Sequence, residues 1–228
     1  MKPEAKQMRT KKYFISCEGE TEWWYFEWLQ QQINANVPPS NRIEFIHKKI
    51  SPSSFAKSNS GTFTKDMIKG SSFCRIEDIE DYSDININKL HKLFKSCKEA
   101  MKIQRNYLFY IGYSNLTFET WIIAHKMQVP AIADRKNYYK IINYAFGTKF
   151  KNNAEYKHEQ NFKSILSSLS LDDVIYKALP ECERFKNNNK QNSSDLRREY
   201  AGFSYYLANP DTTLDDYVRM VLKDSALI

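Results

Sequence analysis

Lys11-Lys12-Tyr13-Phe14-Ile15-Ser16-Cys17-Glu18-Gly19-Glu20-Thr21-Glu22-Trp23-Trp24-Tyr25-Phe26 is the stretch that decides the fold class. Its first seven residues are rich in β-formers and the run stops at Gly19, so it predicts a buried strand that delivers Glu18 to its carboxyl end. From Thr21 to Ile33, Trp24, Tyr25, Trp28, Leu29 and Gln32 recur at three- and four-residue spacing, as an amphipathic helix requires. Strand, tight turn and helix therefore follow in that order.

The same alternation continues outward. Arg42 to His47 reads as a second strand, bounded upstream by the breaker Pro38-Pro39. Ser51 to Gly70 is polar, rich in serine and without period, which predicts a mobile loop holding a short helix. Ser72 to Ile76 predicts a third strand entering the acidic run Glu77-Asp78-Ile79-Glu80-Asp81. Leu90, Leu93, Phe94, Cys97 and Met101 then mark one face of a helix from about Asn86 to Ile103. Tyr107 to Tyr110 predicts a fourth strand and Phe118 to Lys126 the next helix. Strands alternating with helices imply an α/β fold with a mainly parallel, Rossmann-type sheet, because parallel neighbours need crossover connections.

Beyond residue 130 the pattern is largely helical, over Tyr138 to Phe146, Gln160 to Ser168, Asp172 to Asn187 and Thr213 to Lys223. Asn187 to Ser194 reads as a polar low-complexity link. The expected organisation is an α/β core over 1–128 and a mostly helical C-terminal elaboration over 129–228, packed on the same domain.

Composition narrows the function classes. A chain of 228 residues, 42% apolar with only six glycines, has enough apolar material for one sizeable core. Met1 to Lys12 carries five basic residues and no apolar run, and no later stretch approaches the roughly 18 apolar residues that span a bilayer, so neither a signal peptide nor a membrane partner is expected. Cys17, Cys74, Cys97 and Cys182 are scattered, which predicts reduced thiols in a cytoplasmic protein. A net charge of +7 and pI near 9.0 favour a polyanionic partner.

Ligands of open parallel sheets gather where strands end. Both the first and third strands end in carboxylates here: Glu18, Glu20 and Glu22 after one, Glu77, Asp78, Glu80, Asp81 and Asp84 after the other. Converging like charges repel, by roughly 1 kcal/mol per pair at about 4 Å even in water, so something must neutralise them. Mg2+ or Mn2+ would do so with hard oxygen ligands, and phosphodiester chemistry uses such ions. The competing reading is a solvated acidic loop, with Glu20 and Glu22 complementing the positive end of their helix. Glu119 is either a further metal ligand or a helix-capping carboxylate.

Between Arg135 and Lys163, seven basic residues are interleaved with Tyr138, Tyr139, Tyr144, Phe146, Phe150 and Tyr156. These residue types together suit phosphate attraction and base stacking. Lys149, Lys151 and Lys157 are the candidates for gripping a phosphate backbone, while Tyr139 and Phe146 are read as core. His125 is a candidate proton shuttle or phosphate contact, against the alternative of a structural histidine.

Three segments carry a family resemblance: Cys17-Glu18-Gly19-Glu20-Thr21-Glu22-Trp23-Trp24-Tyr25-Phe26; Ser114-Asn115-Leu116-Thr117-Phe118-Glu119-Thr120-Trp121, ending at His125; and Asn209-Pro210-Asp211-Thr212-Thr213. In this order they resemble RloB-type members of the Toprim-like superfamily, proteins of bacterial abortive-infection and restriction-associated loci. The resemblance implies a Toprim-like fold, a first-strand glutamate with an acid/base or metal-binding role at Glu18, and a magnesium-binding aspartate pair at Asp78 and position 80. Glu80 stands where the second aspartate is expected, and Glu77 or Asp81 are alternatives in register.

The implied function is a metal-dependent nuclease acting on DNA or RNA in antiviral defence. The rival is a degenerate Toprim module that binds nucleic acid or an ATPase encoded nearby without cleaving; self-association as a homo-oligomer is compatible with either. No phosphate-binding glycine loop occurs in the chain. Serine or cysteine hydrolase chemistry lacks support.

Overall fold

The computed structural model describes residues 10–59, 71–131 and 134–228. The first half contains β1 (Lys11–Ser16), α1 (Glu20–Asn36), β2 (Ile43–His47), α2 (Pro52–Ser58), β3 (Ser72–Ile79), α3 (Asp84–Ile103), β4 (Leu108–Asn115) and α4 (Glu119–Ala124). After these come α5 (Tyr138–Phe146), α6 (Asn153–Tyr156), α7 (Glu159–Ser167) and a long α8, built of Leu171–Asp173, a π-helical turn at Val174–Ala178 and Leu179–Asn192. A hairpin of β5 (Arg197–Tyr200) and β6 (Phe203–Tyr206), the short β7 (Asp211–Thr212) and α9 (Leu214–Asp224) close the chain.

The main sheet has the order β2-β1-β3-β4-β7. Its first four strands run parallel and β7 pairs antiparallel with β4, so the α/β class with a mainly parallel, helix-flanked sheet holds. One face carries Tyr13, Ile15, Cys74 and Ile76 against α1, α4, α8 and α9; the other carries Phe14, Phe73, Phe109 and Ile111 against α2 and α3. Each face is filled by aromatics such as Tyr25, Phe26, Trp121 and Phe94, all 1% exposed or less, and burying a side chain of this size contributes roughly 1.5–3 kcal/mol. Gly112 of β4 lets α9 approach, since a Cβ there would lie 2.9 Å from Leu214 Cδ1.

Several boundaries differ from those read in the sequence. β3 continues to Ile79 and takes in Glu77 and Asp78, because these residues pair with Tyr113 and Ser114 in a central strand. Pairing with β4 overrides the poor β-propensity of carboxylates. β4 likewise runs to Asn115. The expected link over 187–194 is largely helix instead: α8 continues through Asn192, anchored by buried Asn189, whose amide donates to Pro210 O at 2.9 Å. The expected helical C-terminal part also contains three strands.

Two motifs quoted above serve this closure. Ser114 Oγ meets Thr212 Oγ1 at 3.0 Å, Asn115 Nδ2 donates to the carbonyls of Tyr206 and Ala208, and Tyr113 OH donates to Asp211. They clasp β7 and the segment before it onto β4. Among the described residues no helix is long and apolar enough to cross a membrane, and all four cysteines are buried free thiols. Of the segment expected to be a loop, 60–70 lies outside the described residues.

Candidate functional site

Strand alternation divides the acidic residues between two sides of the sheet. Successive β3 side chains point to opposite faces. Arg75 and Glu77 therefore go with Phe73 toward α3, whereas Asp78 follows Cys74 and Ile76 toward α1. Two neighbouring carboxylates thus enter different environments.

On the α1 side, Glu22 and Glu119 come from the first turns of α1 and α4, and both are buried, at 4% and 2% exposure. Gly19 caps α1 without a side chain, and a Cβ there would stand 2.8 Å from Glu22 Oε2. The carboxylate can therefore fold back over its own helix start, where Thr21 Oγ1 donates to Glu22 Oε2 at 3.1 Å. Because the crowding falls on the movable end of a side chain, Gly19→Ala is expected to fold normally while displacing Glu22. Its melting temperature should stay within a few degrees of wild type, and any activity that uses this carboxylate should fall about 10- to 100-fold, the scale set by disturbing groups that orient a site.

Asp78, Glu22 and Glu119 feel one another's charge. Burial, then the Glu22 and Glu119 carboxylates, push Asp78 well above the usual carboxylate range. Burial, with Glu119 adding to it, raises Glu22. Burial also opposes ionisation of Glu119, but the Lys157 ammonium at 2.9 Å and the Thr117 hydroxyl outweigh it and hold the group low. Asp78 Oδ1 is buried without a hydrogen-bond donor among the described residues. A cavity of about 280 Å³ opens here, lined by Glu18, Glu22, Asp78 and Glu80 with Arg135, Lys157 and Trp24.

On the α3 side the carboxylates are paired. Arg75 Nε and Nη2 donate to Glu77 Oε2 at 2.8 and 2.5 Å, and Arg75 Nη1 donates to Ser16 Oγ at 2.8 Å. Lys89 Nζ lies 2.7 Å from both Glu18 Oε1 and Glu77 Oε1. Although burial opposes it, Lys89 and the Asp78 backbone N–H hold Glu18 below its ordinary pKa. Glu18 thus reaches the main chain of Asp78 while its carboxylate is engaged by a lysine.

The remaining expected residues are dispersed. Glu80 pairs with Arg135 at 2.5 Å on the cavity rim. Asp81 is exposed and turns the other way, accepting from Ser83 N and Asn86 Nδ2 at 2.8 Å ahead of α3. Lys157 reaches the cavity, while Lys149 and Lys151 are exposed and line no part of it. His125 lies in the core at 0% exposure: its Nδ1–H donates to Trp121 O at 2.8 Å, which leaves Nε2 to accept from Tyr25 OH at 3.2 Å. Burial lowers it to about 4, so it is a neutral core histidine without access to the cavity. Trp121 belongs to the core as well, and Tyr139 and Phe146 are partly buried against that core cluster.

Sequence reading missed Glu22 as a site residue, along with Arg75, Lys89 and Arg135. For Glu22 a signal existed in the Gly-x-x-Glu spacing, which sets a carboxylate three residues past a glycine cap in the first helical turn. Arg135 lay in the basic and aromatic run already singled out, while for Arg75 and Lys89 there was no signal, since Arg75 meets Glu77 only because β3 extends past Ile76 and Lys89 arrives from a distant helix.

All the acidic donors are hard oxygens, the kind that magnesium and manganese take. Their chemistry fits such an ion, and the orphaned Asp78 oxygen is the donor most in need of a cation. Among the described residues, however, no three His, Cys, Asp or Glu side chains are grouped so as to enclose a metal. Lys157, Arg135 and Lys89 pair with Glu119, Glu80 and Glu18 instead.

The model of one protein family, described as RloB-like protein, matches residues 13–221. No curated protein and no solved structure matches.

Proposed function

The chain belongs to the RloB-like family, and on that premise we propose that it is a metal-dependent nuclease of Toprim-like fold that hydrolyses DNA or RNA in cytoplasmic antiviral defence. The observation that carries this reading is the buried Asp78 oxygen at the end of a central strand, without a donor among the described residues and within the field of Glu22 and Glu119. Two cations, Lys157 and Arg135, line the same cavity. An acidic floor beside movable cations is what in-line attack on a phosphodiester needs: donors for a divalent ion, and counter-charges for the phosphate.

Asp78 and Glu22, joined by Glu119 once Lys157 has left it, would hold magnesium or manganese, which would supply activation of water and charge neutralisation at the phosphate. The chain's own residues do the rest. Lys157 and Arg135, each now on a carboxylate, would pass to the non-bridging phosphate oxygens as substrate enters, releasing Glu119 and Glu80. Water adds its oxygen to phosphorus as the bridging P–O bond breaks, its proton goes to a nearby carboxylate, and the leaving oxygen is protonated from solvent. Glu18, fixed by Lys89 and the Asp78 N–H, orders the Gly19 entry to the helix turn that bears Glu22. The test is incubation of the protein with labelled DNA and RNA and either metal. Cleavage is expected, and cleavage undiminished in both Glu22→Gln and Asp78→Asn would show that the chemistry lies elsewhere.

One observation favours a second reading. With Lys89, Arg135 and Lys157 already paired to carboxylates and no grouped ligands among the described residues, the chain could be a degenerate module that binds nucleic acid or an ATPase partner without cutting. Calorimetry separates the two: nucleic-acid binding with no heat of magnesium or manganese binding belongs to the module.

A further inference from the structure

We propose that the acidic cavity receives one unpaired nucleotide with its base stacked on Trp24, so that the preferred substrate is single-stranded or extruded nucleic acid. This rests on the nuclease reading, which puts a phosphate at Lys157 and Arg135.

Trp24 sits where the apolar stripe of α1 gives way to the cavity. Tyr25, Phe26, Trp28 and Leu29 are in the core at 8% exposure or less. Glu20, Thr21 and Trp24 lie on a neighbouring face of the helix, by their three- and four-residue spacing, and together line the cavity. Trp24 is only partly buried, with its edge supported by Phe162 at a ring distance of 6.1 Å. Among the residues lining this cavity it is the one aromatic ring; the other linings are carboxylates, cations, Gly19 and Thr21.

The ring is also already receiving a ligand-like group. Lys163 Nζ stands 5.8 Å from the Trp24 centroid, and this lysine is exposed and paired with exposed Glu159 at 2.6 Å. A flexible cation over an indole is displaceable, and a base offers the same surface a larger stacking partner. The exposed rings Tyr144 and Tyr176, at 80% and 72%, lie away from the carboxylates and offer no such combination.

Geometry then selects the substrate class. In a duplex both faces of each base are covered by its neighbours and its edge is used in pairing. A base can lie on Trp24, with its phosphate at Lys157 and Arg135, only if it is already unpaired or has been rotated out.

The experiment measures tryptophan fluorescence and affinity for a single-stranded oligonucleotide and for a blunt duplex of equal length, with cleavage followed in parallel. The wild type should bind the single strand more tightly and show quenching. Trp24→Leu, which keeps apolar bulk against Phe162, should weaken single-strand binding about 5- to 100-fold. Trp24→Phe should restore most of it, since a phenyl ring still stacks. Unchanged binding in Trp24→Leu, or equal use of duplex and single strand, overturns the inference while leaving the nuclease reading in place. Absence of binding and cleavage on both substrates overturns that reading, and this inference with it.

Discussion

Asp78→Asn is expected to lower phosphodiester cleavage about 100- to 1,000-fold, the scale of losing one preorganised electrostatic group, and at the same time to raise thermal stability. The second half separates a functional carboxylate from a structural one. Asp78 brings a charge into a site where Oδ1 has no donor among the described residues and two further carboxylates stand nearby, so the ionised form is a burden on the fold. Each kcal/mol relieved at neutral pH should raise the melting temperature by roughly 2–4 °C in a chain of this size.

The pH dependence gives the sign. Asp78 is raised in the folded state, so its proton-linked stabilisation is complete below the ordinary carboxylate value of about 4 and is lost as pH climbs through the folded value. The advantage of Asp78→Asn should therefore grow from acid toward neutral pH. Melting curves between these limits check it, and a variant less stable than wild type at neutral pH would contradict the assignment of Asp78 as a carboxylate whose charge burial and its acidic neighbours disfavour.

Lys157→Met carries the other large effect, and its sign with respect to metal is diagnostic. Glu119 is 2% exposed and Lys157 is its ion-pair partner at 2.9 Å. Removing the lysine leaves a buried carboxylate unpaired, which costs about 3 kcal/mol for a partner about one-third exposed, at the low end for buried pairs. That corresponds to roughly 6–12 °C. Glu119 is held low in the folded state, so the loss should be largest above the ordinary carboxylate range and fade as pH falls through it.

The double variant Lys157→Met with Glu119→Gln should recover most of the stability, because no lone charge remains. If Lys157 occupies the place of a divalent cation, magnesium should stabilise Lys157→Met more than wild type, by a margin equivalent to about tenfold or more in affinity at the interaction strengths of partly buried charges. Cleavage should nonetheless fall, since a phosphate contact is gone. Equal magnesium response in the two proteins would remove the carboxylate trio as the cation site.

These effects depend on placements that the sequence disclosed unevenly. The run Tyr13 to Cys17 with its glycine stop, and the three- and four-residue spacing of Tyr25, Trp28 and Leu29, are local patterns set by strand and helix geometry, and they carry the parallel α/β architecture. The same patterns put carboxylates at the ends of β1 and β3. The boundary of β3 was not legible, because it depends on pairing with β4 across the sheet. Moving that boundary from Ile76 to Ile79 sends Glu77 to Lys89 and Arg75, and Asp78 to Glu22 and Glu119.

By itself the sequence determined the fold class and the strand ends where chemistry gathers, since these follow from short-range periodicity and residue type, while the segments at 17–26, 114–121 and 209–213 carried the family resemblance. Only the tertiary structure decided which carboxylates share a side, that Glu22 is buried beside Asp78, that His125 is core, and that Lys89, Arg135 and Lys157 sit among the acids. The physical reason is that charge pairing and burial are made between segments far apart in the chain, such as Glu119 with Lys157 and Glu18 with Lys89, and no local spacing encodes such a meeting.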